Sequence, residues 1–361
     1  MSTKPTALGC YIFAGGFTTG IKKAGFKVLG HLEGSMFGVR TVERNHPELQ
    51  LGKNIFIDPP TWPIHNFNGV DLIFGNPPCA PFSVANASSL REGRTQWMRD
   101  PRVECIRNEF NLLGELRPKV LVFESVQQAF TRGRDLIDSL TDSARELGYS
   151  ATYILLNTAH LGVPQTRRRF FCVFHNVVIP WWYPAAEAKD GTPRHELTVR
   201  EAFDELEDLA PEIYQDTPSR MRLAKLTPEG DSLRKTWEAE NPERTWKRGI
   251  NDKVIGRPPF TLRKLAWDRP SPTLIGGAQY YHPGRSQHLS VKETQVLCGY
   301  PPEYEFVTKT LGLKYTEIGQ AVMPPVGEWL GKNIKRAVEI NVHLPDRDPQ
   351  LIDFETGRRT L

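Results

Sequence analysis

Short apolar runs that stop abruptly at glycines or polar turns alternate, over the first half of the chain, with stretches whose apolar residues recur every three to four positions. "GCYIFAGG" reads as a buried strand breaking into a glycine turn, and "TTGIKKAGF" as the helix that follows. "KVLGHLE" is a second strand that ends on an acid, Glu33. "VDLIFG" and "KVLVFES" are further strands, with helical periodicity in "ECIRNEFNLLGEL" and "DLIDSLTDSARELGY". Strands alternating with helices predict a parallel α/β sheet with functional loops at the carboxyl ends of its strands. "ATYILLNTA" and "RRRFFCVFH" read as two more β runs, an antiparallel finish to that sheet.

The pattern changes after about Pro180, where proline and charge rise and periodicity fades. The expected organisation is a catalytic and cofactor-binding domain at 1–180, a small second domain at 181–285, and a segment at 286–361 that returns to the first. Between Tyr214 and Asp268, Lys and Arg outnumber the acids, with Trp237, Trp246 and Trp267 interspersed. That mixture suits a nucleic-acid surface; a solvated face over a small aromatic core explains it as well. The tail after Asn341 reads as a surface extension.

Composition narrows the class only a little. With 361 residues, 39% apolar and 24% charged, the chain matches ordinary globular proteins and is long enough for two domains. It has no apolar run of spanning length and no signal-like start, so a cytoplasmic protein without membrane attachment is expected. Cys10, Cys79, Cys105, Cys172 and Cys298 form no C-x-x-C pair, which argues against a zinc site or disulfide framework. A net charge of +4 permits nucleic-acid binding without demanding it.

Chemistry concentrates at the predicted strand ends. Gly15 and Gly16 follow the first strand, and Glu33 ends the second. Glycines let a ligand approach the backbone, and an acid roughly 20 residues on can take ribose hydroxyls. Cys79 lies just past a strand end in a proline-stiffened turn, and Glu124 lies at another. In "GVPQTRRRFF", Arg167 and Arg169 share one face of a strand. A thiol, an acid and two guanidiniums form a coherent set, since Arg can lower a thiol's pKa and hold a carboxylate. "IFGNPPCAPFS" nevertheless reads two ways. Asn76-Pro77-Pro78 resembles the loop with which amino-group methyltransferases grip an exocyclic nitrogen, whereas Pro78-Cys79 resembles a loop presenting a nucleophilic thiol.

The order of motifs resembles that of the DNA cytosine-5 methyltransferases and favours Cys79. "FAGG" looks like their first cofactor motif, "PPCAPFS" their nucleophile motif and "FESV" their Glu-Asn-Val motif. "GVPQTRRR" reproduces Gln-x-Arg-x-Arg, and "IGQAVMPPVGEWLGKNI" resembles the closing helix that packs back on the cofactor domain. The resemblance implies a Rossmann-like S-adenosylmethionine-dependent methyltransferase fold with a small target-recognition domain. It implies Cys79, Glu124, Arg167 and Arg169 as catalytic residues. It further implies Phe13, Ala14, Gly15, Gly16, Glu33, Asn54, Ile55, Asn76, Pro78, Gln320 and Val322 around S-adenosylmethionine. Double-stranded DNA is the implied partner, contacted by Ser83, Arg91, Arg94, Arg99 and Gln165, with the target cytosine flipped out. A monomer without metal is expected.

The chain departs from the family at Gly34, Asn54, Ser125 and Gln320, and its first motif is short. These departures leave open an altered, carboxylated donor, an RNA substrate, or a silent DNA-binding relative. The recognition insert is also short, which predicts a short or degenerate target site.

Overall fold

The computed structural model describes residues 4–33, 36–53, 64–83, 96–182, 195–204, 206, 212–242, 262–277, 279–344, 348–354 and 358–360. By Cα proximity the chain divides into two units, one of residues 1–161, 167–194 and 321–361, the other of 162–166 and 195–320. The stretch 286–320, expected with the returning segment, thus belongs to the second unit.

In chain order the strands are β1 (Thr6–Cys10), β2 (Lys27–Glu33), β3 (Gln50–Lys53), β4 (Leu72–Gly75), β5 (Val120–Val126), β6 (Ser150–Asn157), β7 (Gln165–Thr166), β8 (Arg168–His175), β9 (Arg263–Lys264), β10 (Ser271–Pro272), β11 (Tyr280–Tyr281), β12 (Gln350–Asp353) and β13 (Arg358–Thr360). The described strands of the first unit form one nine-stranded sheet in the order β13-β12-β6-β8-β5-β4-β1-β2-β3. β1 to β5 run parallel, and β8 is antiparallel to both β5 and β6. The antiparallel pair predicted from "ATYILLNTA" and "RRRFFCVFH" is therefore present, but it does not finish the sheet. β12 adds to β6 in parallel and β13 closes the edge, so part of the expected surface tail is a structural hairpin.

β1, β4 and β5 are buried on both faces, which explains their continuous apolar runs. Phe74, Phe123, Phe170, Phe171 and Phe174 fill the interior. The helix Pro324–Ile340 lies against the helix Gly16–Lys23. A Cβ on Gly20 would stand 2.3 Å from the Pro324 carbonyl oxygen, so this crossing requires glycine.

The second unit has a small core of Leu223, Ala224, Leu233, Leu262 and Tyr281, with Trp237 packed on it. Trp267 meets Phe203 and His282 edge-on and carries the Arg200 guanidinium over its ring. Both tryptophans thus serve packing in this unit, as the small aromatic core would have it; Trp246 lies outside the described residues. Asp216 joins the unit's segments by accepting from Tyr281 Oη, His288 Nε2 (2.8 Å) and Arg220 (2.9 Å).

Candidate active site

At the carboxyl end of β1 the chain turns through left-handed conformations at Tyr11, Phe13 and Gly15, with φ of 54°, 58° and 79°. Non-glycine residues rarely adopt this region. Here the loop is held from outside. Tyr11 N–H donates to Leu32 O (2.8 Å), Phe13 N–H donates to Glu33 Oε2 (2.5 Å), and Thr19 Oγ1 donates to the Gly15 carbonyl (3.0 Å). Ala14 and Gly16 are buried, and Gly16 opens the first helix. Glu33 is buried too, and its carboxylate, with capacity for about four hydrogen bonds, sits beside the glycine turn. That donor set fits the ribose and amino-acid parts of S-adenosylmethionine. Pro78 is half-buried and Val322 buried in the same unit, whereas Gln320 is exposed and belongs to the second unit. Asn54 and Ile55 lie outside the described residues.

The catalytic candidates meet because of sheet register. β4 pairs with β5 through Gly75 and Phe123, so Asn76, the first residue past β4, comes beside Glu124, which continues in β5. β8 opposes Glu124 with Phe171 and Val126 with Arg169. Arg169 is therefore on the same face as Glu124, diagonally across the ladder. Glu124 is 3% exposed, and both carboxyl oxygens are engaged: Arg169 Nε reaches Oε1 at 2.7 Å, and Asn76 Nδ2 donates to Oε2 at 2.6 Å. Arg167 is buried, its N–H held by Asn157 Oδ1 at 3.0 Å, and its charge acts on both Glu124 and Cys79.

Of the five cysteines, all free, four are buried and Cys79 alone is half-buried. Its turn is tied by Phe82 N–H to Cys79 O (3.1 Å) and anchored by Phe82, which is 1% exposed in the core. Desolvation in the turn pushes the Cys79 thiol above its ordinary range, and the Glu124 charge adds to that. Arg169 and Arg167 oppose the shift without overcoming it, so their predicted activation of the thiol is partial in this state. Burial likewise raises the Glu124 carboxyl, against the pull of Arg169, Arg167 and the Asn76 hydrogen bond. A raised carboxyl beside an accessible thiol suits an acid paired with a nucleophile.

The expected DNA contacts fare less evenly. Ser83 is half-buried at the end of the Cys79 turn, and Arg99 is exposed. Arg91 and Arg94 lie outside the described residues. Gln165 is a correction: it is 0% exposed, donating to Leu297 O (3.2 Å) and accepting from Leu274 N–H (3.1 Å). Its amide braces the second unit. Sequence reasoning also missed Asn157, legible only as another polar residue ending a strand, and Glu109. Glu109 lies fully buried beneath Gly75 with neither oxygen hydrogen-bonded. Among the described residues no group of His, Cys, Asp and Glu is assembled for a metal, and no helix is long and apolar enough to cross a membrane.

Residues 10–336 match the family model of the C-5 cytosine-specific DNA methylases. The chain belongs to this family. Its members are DNA (cytosine-5)-methyltransferases that use S-adenosylmethionine, a covalent adduct and a flipped base. Similar sequences include the Type II methyltransferase M.AplI of Arthrospira platensis, 26% identical over 92% of this chain and 86% of that protein. M.NgoMIV of Neisseria gonorrhoeae is also 26% identical, over 92% of this chain and 98% of its own. In fold, the chain resembles Entamoeba histolytica methyltransferase EhMeth (TM-score 0.63, 11% identity, 92% and 98% covered). A mutant of Spodoptera frugiperda DNMT2 gives a TM-score of 0.61 at 16% identity, with 92% and 99% covered.

Proposed function

We propose that the chain is a cytoplasmic, DNA-associated modification enzyme, active as a monomer, that methylates cytosine in duplex DNA with Cys79 as nucleophile and Glu124 as acid. The observation that carries this reading is the constellation at the strand ends: a buried carboxyl held by Arg169 and Asn76, next to the only cysteine that is not buried. Its relatives' designation as Type II methyltransferases supports a role in restriction-modification.

Carbon 5 of cytosine is a poor nucleophile, and addition of a thiolate at carbon 6 makes it an enamine carbon. Cys79 forms that bond. Glu124 gives its proton to ring nitrogen 3, which neutralises the charge that addition creates. Arg169 fixes the carboxyl, and Arg167 holds the base's carbonyl oxygen. Phe13–Gly16 and Glu33 would hold S-adenosylmethionine, which supplies an electrophilic methyl group when bound. A base then takes the carbon 5 proton, the Cys79 thiolate leaves, and ring nitrogen 3 returns its proton to Glu124, which restores the neutral aromatic ring and the acid. Because a stacked base exposes neither face of carbon 6, the cytosine has to leave the duplex.

The test is to incubate protein, duplex DNA and S-adenosylmethionine, digest to nucleosides and weigh them. A 5-methyldeoxycytidine peak that disappears in Cys79→Ser supports the assignment. Product from RNA alone, or product that survives Cys79→Ser, overturns it.

A further inference from the structure

Glu124 has two hydrogen-bond partners of different kinds, and the difference has a chemical consequence. A guanidinium has only donors, so Arg169 can match Oε1 only while that oxygen accepts. A primary amide has both a donor and an acceptor and exchanges them by turning about its last side-chain bond. Asn76 Nδ2 at 2.6 Å from Oε2 matches the carboxylate; turned over, Asn76 Oδ1 would match a proton on the same oxygen.

Oε2 is also the oxygen on which that proton belongs. The positive charge on Oε1 makes it the weaker base, and the neutral amide leaves Oε2 the stronger. Glu124 is 3% exposed, so water is a poor substitute for either role of the amide. The charged or titratable groups acting on Glu124 and its surroundings are Arg169 and Arg167 from the β8 edge and Cys79 from the loop after β4. The guanidiniums can only donate, and a thiol donates and accepts only weakly, so neither matches an amide in both roles.

On the reading of the site given above, we infer that Asn76 is a positioning residue for the catalytic acid. It holds Glu124 Oε2 in the charged form, turns to accept its proton in the neutral form, and releases that proton toward ring nitrogen 3 of the incoming base. The transfer balances: the O–H bond of Glu124 breaks, an N–H bond forms on the ring as Cys79 adds, and Glu124 returns to the carboxylate that Asn76 Nδ2 binds. The two readings of Asn76-Pro77-Pro78-Cys79 thereby resolve with work for both Asn76 and Cys79.

The experiment compares wild type, Asn76→Ala and Asn76→Asp by the pH dependence of methylation and by carbon-13 NMR titration of Glu124. The NMR arm uses carboxyl-labelled glutamate in the DNA-free protein, with the resonance assigned by its absence in Glu124→Gln. Removing the amide donor disfavours the carboxylate, and a second carboxylate disfavours it further. The Glu124 midpoint, and with it the alkaline limb of kcat, is expected to rise in the order wild type, Asn76→Ala, Asn76→Asp. In Asn76→Ala, kcat falls roughly tenfold or more, as expected for a misplaced acid, while KM for DNA changes little. Equal midpoints and an unmoved alkaline limb, with kcat merely scaled down, would show a packing role and overturn the inference. The NMR titration needs no turnover, so it reads the Asn76–Glu124 pair even if the methylation assay fails in wild type. Unchanged thermal unfolding of the variants shows that the comparison is between folded proteins.

Discussion

Glu109 permits a stability test whose size follows from burial alone. Its side chain is 1% exposed and neither oxygen has a hydrogen-bond partner. The two oxygens stand 2.2 and 2.1 Å from where a Cβ on Gly75 would be. Burial pushes this carboxyl well above its ordinary value of 4.5. An unpaired charge there would be far more costly than a neutral acid, so the folded protein keeps the proton. In the unfolded chain the same carboxyl is ionised at pH 7. Folding therefore takes up a proton, and the native state binds more protons than the unfolded one. Stability is then fully present below about pH 4.5 and is lost as pH rises toward the folded pKa. Between the unfolded and the folded value, each pH unit removes about 1.4 kcal/mol of stability for the one proton taken up. Glu109→Gln keeps the shape and cannot ionise. Urea unfolding of both proteins from pH 5 to 8 should show the variant gaining on wild type as pH rises, with a slope approaching about 1.4 kcal/mol per pH unit. Parallel stability curves across that range would refute the reasoning, because they would mean that no proton is taken up.

Four further outcomes are expected. Gly75→Ala should destabilise by about 1–3 kcal/mol through overpacking on Glu109, and adding Glu109→Ala should recover much of it, as a double-mutant cycle in thermal unfolding would measure. Arg169→Lys keeps the charge but loses the planar donor on Glu124, so turnover should drop roughly 10- to 100-fold with S-adenosylmethionine binding, read by calorimetry, unchanged. In the second unit, burial alone would raise the Asp216 carboxyl, but hydrogen bonds from His288 and Tyr281 and the Arg220 charge hold it down at about 2. Its contribution, roughly 1–2 kcal/mol, is present above about pH 4 and lost as pH falls toward 2, so acid unfolding of Asp216→Asn should lack that part of the transition. Bisulfite sequencing of modified DNA should show a short or degenerate target, and one long strict site would contradict the reading of the small insert.

Much of the site could be read locally. Cys79 stands in a short motif, Glu33 lies a set distance beyond a glycine turn, and Arg167 and Arg169 share a face by strand parity alone. What could not be read involves partners brought together by pairing between distant segments. Asn76 meets Glu124 only because β4 pairs with β5 at Gly75 and Phe123, and Arg169 meets it only through the antiparallel register of β8. Gln165, one residue removed in parity from an exposed neighbour, was expected at DNA and instead braces Leu274 and Leu297.

The sequence by itself determined the alternation of strands and helices, the residues at strand ends and the order of motifs, because hydrophobic periodicity and turn chemistry are properties of neighbouring residues. Only the tertiary structure decided which polar groups share a site, that Glu109 lies unpaired under Gly75, and that β12 and β13 extend the sheet beyond β6. Strand order, register and burial are settled by competition among many long-range packings, and no stretch of chain carries that outcome alone.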